Sequence, residues 1–118
     1  MTYQLSELQE KWLTALESGK YKQGRAFLGS PDTGLCCLGV LCVVAERDFD
    51  DGAFFPPHAV AEAARLRTRS GDSARSFMVN EFQCNGLPDA NDNANATFPE
   101  IAAAIRANPE NFFLPSEA

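Results

Sequence analysis

Two adjacent cysteines, Cys36 and Cys37, have the side-chain type that nucleophilic catalysis requires. They stand at the start of the apolar run 35–45, which we predict to be a central buried helix. Free amides at the start of a helix lower a thiol pKa. With Gln23 as an oxyanion donor and His58 as a base, either thiol would serve a cysteine-dependent hydrolase. The alternative is that one cysteine packs in the core while the other lines a pocket wall.

A second group of polar residues could bind a small ligand, namely Gln23, Arg25, Asn91 and Asp92. The Arg25 guanidinium offers a fork for phosphate or carboxylate, and the amides of Gln23 and Asn91 can pair with a base or a sugar. Asp92 could accept a hydrogen bond from a ribose hydroxyl or an amine. One structural alternative is an Arg25–Asp92 salt bridge. A further alternative is that Asn91 and Asp92 merely satisfy loop backbone.

Oxygen-bearing side chains alternate through residues 89–100, at Asp89, Asn91, Asn93, Asn95, Thr97 and Glu100. Their spacing follows that of an EF-hand calcium loop. Ala94, however, stands where the sharp turn needs glycine, and Glu100 is already explained by a helix cap. We therefore expect no metal, with calcium at Asp89, Asn91, Asn93 and Glu100 as the weaker alternative. The four cysteines form no C-x-x-C pair, which disfavours zinc, and no cofactor is expected.

The elements that would position these residues predict one α+β domain over residues 1–118, with three to four helices and a short sheet. Capping boxes at Ser6–Gln9 and Thr97–Glu100 predict the starts of the first and last helices. Gly19 and the pair Asn108-Pro109 predict where those helices end. The last helix has an apolar stripe at Phe98, Ile101, Ala102 and Ile105. Residues 110–118 form an apolar C-terminal tail.

The middle of the chain gives weaker signals. Residues 21–28 alternate as an extended segment does, and 30–34 have turn composition. Pro56 and Pro57 precede a predicted helix over 59–67. We further predict a mobile polar stretch over 68–75, a strand over 76–83 and a loop over 84–96.

Composition excludes several classes of function. Ten Lys and Arg residues against 16 Asp and Glu give a net charge of −6, which argues against direct binding to a nucleic-acid backbone. The longest apolar run, 35–45, is too short to cross a membrane, and no secretory signal opens the sequence. We expect a cytoplasmic protein with reduced thiols.

Four motifs occur in order along the chain: KYKQG at 20–24, CCLGVLC at 36–42, ND at 91–92 and TFPEIA at 97–102. In these the chain resembles a family of small uncharacterised proteins carried by bacteriophages and prophages, with the signature KYxQG…CCLGVL…ND…FxEIA. Residues 46–83 depart from the pattern and lack the tryptophan typical of it. The resemblance implies a phage-encoded accessory protein in the host bacterial cytoplasm, with no established activity. Small phage proteins often antagonise host defence, some by sequestering nucleotide signals.

Our leading hypothesis is a non-enzymatic protein that binds and sequesters a small nucleotide-like or phosphate-bearing ligand. Gln23, Arg25, Asn91 and Asp92 would contact it, and the cysteine pair would line the pocket floor. The alternatives are the cysteine-dependent hydrolase and an inhibitor of a host protein that uses the acidic side chains of Glu46, Asp48, Asp50 and Asp51. A homodimer is the expected assembly, with 54–55 and 112–114 as candidate anchors.

Overall fold

The chain forms a group of packed helices with two small antiparallel sheets, as a computed structural model of residues 3–115 shows. The α-helices are α1 (Glu7–Glu17), α2 (Cys37–Val44), α3 (His58–Ala63), α4 (Leu87–Asp92) and α5 (Phe98–Ala107), followed by a 3-10 turn at Pro109–Asn111. The strands are β1 (Gly29–Ser30), β2 (Gly34–Leu35), β3 (Asp72–Val79) and β4 (Phe82–Gly86). Strand β1 pairs with β2, and β3 pairs with β4. The predicted α+β class is confirmed, with five α-helices in the described range.

Both capping boxes form as the sequence predicts. The Ser6 hydroxyl accepts from the Gln9 backbone N–H at 3.2 Å, and the Gln9 side chain accepts from the Ser6 N–H at 2.8 Å. Thr97 and Glu100 repeat the arrangement at 3.3 and 2.8 Å. Gly19 follows α1 with a φ of +74°, so the predicted helix end is also confirmed.

Helix α2 is the centre of the core, which confirms the central helix predicted from residues 35–45. It packs against α1 and α4, and the Trp12 indole N–H donates to the Cys37 carbonyl at 2.9 Å. Gly39 lets α2 approach the segment before β1, because a Cβ at this position would overlap the carbonyl oxygen of Leu28. The glycine of the CCLGVL motif therefore has a packing role.

The end of the chain folds back on the core. All four residues of the predicted α5 stripe are buried. Phe112 and Phe113 are buried as well, and the Phe113 ring meets Trp12 edge-on with centroids 6.1 Å apart. The apolar tail therefore docks on its own chain, so Phe112 and Phe113 are not exposed dimer anchors. The last tail residues, 116–118, lie outside the described part of the chain.

The segment 58–79 differs from its sequence prediction. Helix α3 ends at Ala63 rather than at 67, because Arg65 adopts a φ of +57° and Leu66 pairs with Phe113 in an antiparallel bridge. The polar stretch predicted as mobile includes the first half of β3, which begins at Asp72.

The hairpin and the helix after it correct the next two predictions. The strand predicted over 76–83 reverses at Asn80 and Glu81, whose φ angles of 51° and 70° suit a tight two-residue hairpin turn. Within the loop predicted over 84–96, residues 84–92 are instead the rest of β4 followed by α4, and residues 93–96 form a loop as predicted. In the extended segment 21–28, Gln23 makes a parallel bridge to Leu35, and β1 starts only at residue 29. The turn predicted over 30–34 is confirmed as the link between β1 and β2.

Candidate functional site

The structure brings Gln23, Asn91 and Asp92 together in one hydrogen-bond network. The Gln23 side-chain N–H donates to Asn91 Oδ1 at 2.9 Å and to the Ala96 carbonyl at 2.7 Å. Asn91 Nδ2 donates to the Gly24 carbonyl at 2.9 Å and to Asp92 Oδ1 at 2.8 Å. Asn91 is fully buried, so its polar atoms are engaged within the protein rather than presented to a ligand.

The network is built from two distant segments of the chain. Asn91 and Asp92 stand at the end of α4, which buries Leu87 and Ala90 on the same side as Asn91. The Ala26 backbone N–H donates to Asp92 Oδ1 at 3.0 Å, which ties the segment before β1 to α4. This network holds the Asp92 carboxylate in one orientation and leaves its Oδ2 without a hydrogen-bond partner within residues 3–115.

Arg25 lies next to this network but does not join it. Its residue is exposed, and its guanidinium makes no hydrogen bond or ion pair with another residue of the described range. The alternative of an Arg25–Asp92 salt bridge is therefore wrong, since no ion pair joins the two residues within the described range. The other structural alternative is confirmed, because Asn91 donates to the Gly24 carbonyl and Asp92 accepts from the Ala26 backbone N–H. Arg25 stands two residues from Gln23 and remains available to an anion.

The cysteine pair does not have the environment of an activated nucleophile. Cys36 is the N-cap of α2 and Cys37 its first residue, as the sequence suggests, but Cys37 is fully buried and Cys36 nearly so. Burial raises the pKa of both thiols, and the backbone amides of α2 offset this only in part. The predicted lowering of the thiol pKa is therefore wrong. The Cys37 thiol lies 3.8 Å from the Leu87 carbonyl, which is core packing.

His58 offers no general base for these thiols. It is the exposed first residue of α3, and its Nε2 lies 3.2 Å from the Arg69 guanidinium. The Gln23 side-chain N–H group is not available as an oxyanion donor either, since it already donates to Asn91 Oδ1 and to the Ala96 carbonyl. The structure thus does not assemble the thiol, base and oxyanion donor of a cysteine hydrolase.

The calcium ligand pattern is not gathered into a loop. Asp89 and Asn91 lie within helix α4, where Asp89 accepts from the Asn93 side chain at 2.7 Å. Glu100 caps α5 and accepts from Asn80 at 3.3 Å. Within residues 3–115 no group of three or more His, Cys, Asp or Glu side chains is placed to hold a metal ion.

A cleft with a volume of about 490 Å³ opens beside Asp92, between α4, the open end of the β3–β4 hairpin and the segment before α3. Its lining residues are Phe55, Ser70, Asp72, Asn85, Gly86, Pro88, Asp89, Asp92 and Asn93. Asp72 Oδ2 accepts from the Thr68 and Ser70 hydroxyls at 3.2 and 3.0 Å, whereas its Oδ1 has no partner in the described range. The cleft therefore offers fixed carboxylate acceptors beside one aromatic ring.

Sequence reasoning named Asp92 as a ligand-binding residue of this wall. It named Asp89 and Asn93 only as weaker calcium ligands, and it missed Asp72 and Asn85. Asp72, Asn85 and Phe55 come from segments interpreted as loops or as a mobile polar stretch, and a hairpin with its following helix is needed to bring them together. The two positive φ angles at Asn80 and Glu81 are the local cause, and Glu81 gives no turn signal. The cysteine pair, expected on the pocket floor, does not line this cleft.

No helix within residues 3–115 is long and apolar enough to cross a membrane.

Comparison with known proteins places the chain in a family. No curated protein and no solved structure matches the chain significantly. One family, described as a domain of unknown function (DUF8296), matches residues 4–109, which is most of the sequence. The chain therefore belongs to the DUF8296 family.

Proposed function

We propose that this protein is a non-catalytic binding protein that holds a small nucleoside-like or nucleotide-like ligand in the cleft beside Asp92. The observation that carries the proposal is the fixed pair of acceptors: Asp92 Oδ2 and Asp72 Oδ1 have no partner in the described range, while the second oxygen of each carboxylate is anchored by hydrogen bonds. Anchored acceptors bind with less loss of side-chain entropy than mobile ones.

The chemistry of the cleft selects a ligand that is rich in hydrogen-bond donors. Carboxylates accept from ribose hydroxyls, from exocyclic amino groups and from ring N–H groups. The Phe55 ring offers a face on which a base can stack. No lysine or arginine lines the cleft, so a phosphate on the ligand would lie outside it. The Arg25 guanidinium, near the Ala26 contact to Asp92, is the cation that would receive it.

The buried thiols support binding without turnover. Nucleophilic catalysis needs an accessible thiolate, and burial raises the thiol pKa values of Cys36 and Cys37. The resemblance to phage proteins suggests the biological use. We propose that the protein sequesters its ligand in the cytoplasm of a bacterial host as an accessory, anti-defence factor.

Isothermal titration calorimetry with adenosine, guanosine and their 5′-monophosphates tests this proposal. We expect at least one nucleoside to bind, and the isosteric Asp92→Asn variant to lose about tenfold in affinity, as expected for a hydrogen bond to a charged group. Asp32→Asn is the matched control, because Asp32 is exposed in the β1–β2 turn and outside the cleft. The proposal is overturned if no compound in this panel binds, or if Asp92→Asn binds as well as the parent protein.

A further inference from the structure

Three phenylalanines stand at the surface beside the cleft. Phe27, Phe54 and Phe55 are 47%, 58% and 44% exposed, although phenylalanine is one of the residue types most often buried in proteins. The rings of Phe27 and Phe54 contact each other in a tilted arrangement, with centroids 5.0 Å apart and an interplanar angle of 32°. A group of exposed aromatic rings is typical of an interaction site rather than of a solvated surface.

Backbone hydrogen bonds join the two segments that carry Phe27 and Phe54. The Leu28 N–H donates to the Ala53 carbonyl at 2.8 Å, and the Gly29 N–H donates to the Asp51 carbonyl at 2.9 Å. These bonds fasten the segment before β1 to the segment before α3. The backbone that carries Phe27 and Phe54 is therefore already ordered, which lowers the entropy that a partner would have to remove on binding.

Acidic residues flank the rings along the chain and share the cleft with Phe55. Asp50 and Asp51 lie on the strip of chain just before Phe54, and both residues are exposed. Phe55 itself lines the cleft, whose acidic lining residues are Asp72, Asp89 and Asp92. Arg25 stands two residues before Phe27, and the Arg69 guanidinium donates to the Pro56 carbonyl, next to Phe55, at 2.7 Å. Negative charge therefore prevails around an apolar centre.

We propose that Phe27, Phe54 and Phe55, with the carboxylates of Asp50 and Asp51, form a docking surface for a basic segment of a partner protein. An apolar side chain of that segment packs on the Phe27–Phe54 pair, and its lysine or arginine side chains face the carboxylates. This inference goes beyond the small-ligand proposal, because it depends on residues that do not line the cleft, apart from Phe55.

Charge complementarity selects a basic partner over a second copy of this chain. A two-fold dimer places the same patch of both subunits face to face. The acidic patch of one subunit would then face the acidic patch of the other, and like charges at an interface are unfavourable. With a net charge of −6, the chain also attracts basic partners at long range.

Fluorescence anisotropy with a labelled amphipathic Leu/Lys peptide tests the docking surface, with a Leu/Glu peptide of the same pattern as the probe control. We expect only the Leu/Lys peptide to bind, and Phe54→Ala to weaken binding about tenfold, as aromatic anchors do at interfaces. Phe82→Ala is the matched variant, because Phe82 is 56% exposed at the end of β4 remote from the cleft. It should bind the Leu/Lys peptide like the parent protein.

Several results would overturn the inference: equal binding by Phe54→Ala and the parent protein, equal losses in Phe54→Ala and Phe82→Ala, or equal binding of both peptides. So would sedimentation that shows a dimer which Phe54→Ala dissociates, since a second copy would then cover the rings. Both phenylalanines are exposed, so we expect unchanged melting temperatures in both variants. Phe54→Ala should retain nucleoside binding, which separates failure of this inference from failure of the small-ligand proposal.

Discussion

The side chain of Gln23 donates to Asn91 Oδ1 at 2.9 Å, joining residues that are 68 positions apart in the sequence. The Asn91 side chain in turn donates hydrogen bonds to the Gly24 carbonyl and to the Asp92 carboxylate. Two motifs of the chain, KYKQG and ND, thereby meet in one network. Their first role is to hold the wall of the cleft, and only Asp92 among these three side chains lines it.

The network should be a large contributor to stability. Asn91→Ala removes three hydrogen bonds of a fully buried side chain and leaves the Gly24 carbonyl without its donor. We expect the free energy of unfolding, measured by urea denaturation, to fall by about 2–4 kcal/mol.

Asn93→Ala is the control for this experiment, because Asn93 is the exposed C-cap of the same helix. Its loss should stay below about 1 kcal/mol. If the free energy of unfolding fell equally in the two variants, the buried network would contribute no more to stability than an exposed asparagine side chain does.

The close approach at Gly39 gives a second stability prediction. An alanine usually stabilises a helix relative to glycine by about 1 kcal/mol. In Gly39→Ala, however, the added methyl group would collide with the Leu28 carbonyl, which is backbone and cannot rotate away. We therefore expect a net destabilisation of about 1–3 kcal/mol in thermal or urea unfolding.

Gly52→Ala is the matched glycine variant. The Cβ at this position would have Asp50 Oδ1 at 3.6 Å as its nearest neighbour, which is ordinary contact. We expect its midpoint of unfolding to stay close to that of the parent protein. If Gly39→Ala were as stable as Gly52→Ala, the packing explanation of the CCLGVL glycine would be wrong.

The helices with end signals could be predicted from the sequence because those signals are local. The capping boxes of Ser6 and Thr97 and the glycine at 19 each act within one turn of the chain. The apolar periodicity of α5 likewise identified its buried face correctly. In these places local preference and tertiary packing agree, and no knowledge of distant segments is needed.

The wall of the cleft could not be predicted from the sequence, because tertiary contacts between distant segments determine its structure. Residues 84–96 are rich in Asn, Asp, Gly and Pro, a composition typical of loops. Burial of Leu87, Ala90 and Asn91 against neighbouring elements nevertheless stabilises α4. Asn91 itself carries no local sign that it is buried, since its partners Gln23 and Gly24 are remote in sequence.

The four thiols should be unreactive in the native protein. Burial raises the pKa of Cys42 to about 12, and it also raises the thiol pKa values of Cys36, Cys37 and Cys84. At pH 8 we expect iodoacetamide to modify none of them in the folded state and all four in urea, as read by intact mass. Rapid modification of Cys36 or Cys37 in the folded protein would restore the cysteine-hydrolase hypothesis.

Acid should destabilise the protein through two carboxyl groups. Hydrogen bonding to Arg106, at 2.8 Å, lowers the pKa of Glu10 below its ordinary value of 4.5, and the Thr97 N–H lowers the pKa of Glu100. Since the pKa is lower in the folded state, the stabilisation is present above pH 4.5 and is lost as the pH falls below it.

Urea unfolding between pH 7 and pH 3 checks this dependence. Glu100→Gln keeps a cap acceptor but removes the titrating group, so its stability should fall less with acid than that of the parent protein. Arg106→Gln should flatten the acid dependence as well, because Glu10 loses its main hydrogen-bonding partner. Curves parallel to that of the parent protein in both variants would contradict the assignment.

The most direct test of the central claim is native mass spectrometry of the purified protein after incubation with a nucleotide-rich bacterial extract. We predict a retained small mass at one ligand per chain, present with Asp32→Asn and strongly reduced with Asp92→Asn. The bare mass in every sample, or the same retained mass in both variants, would contradict binding in the cleft beside Asp92.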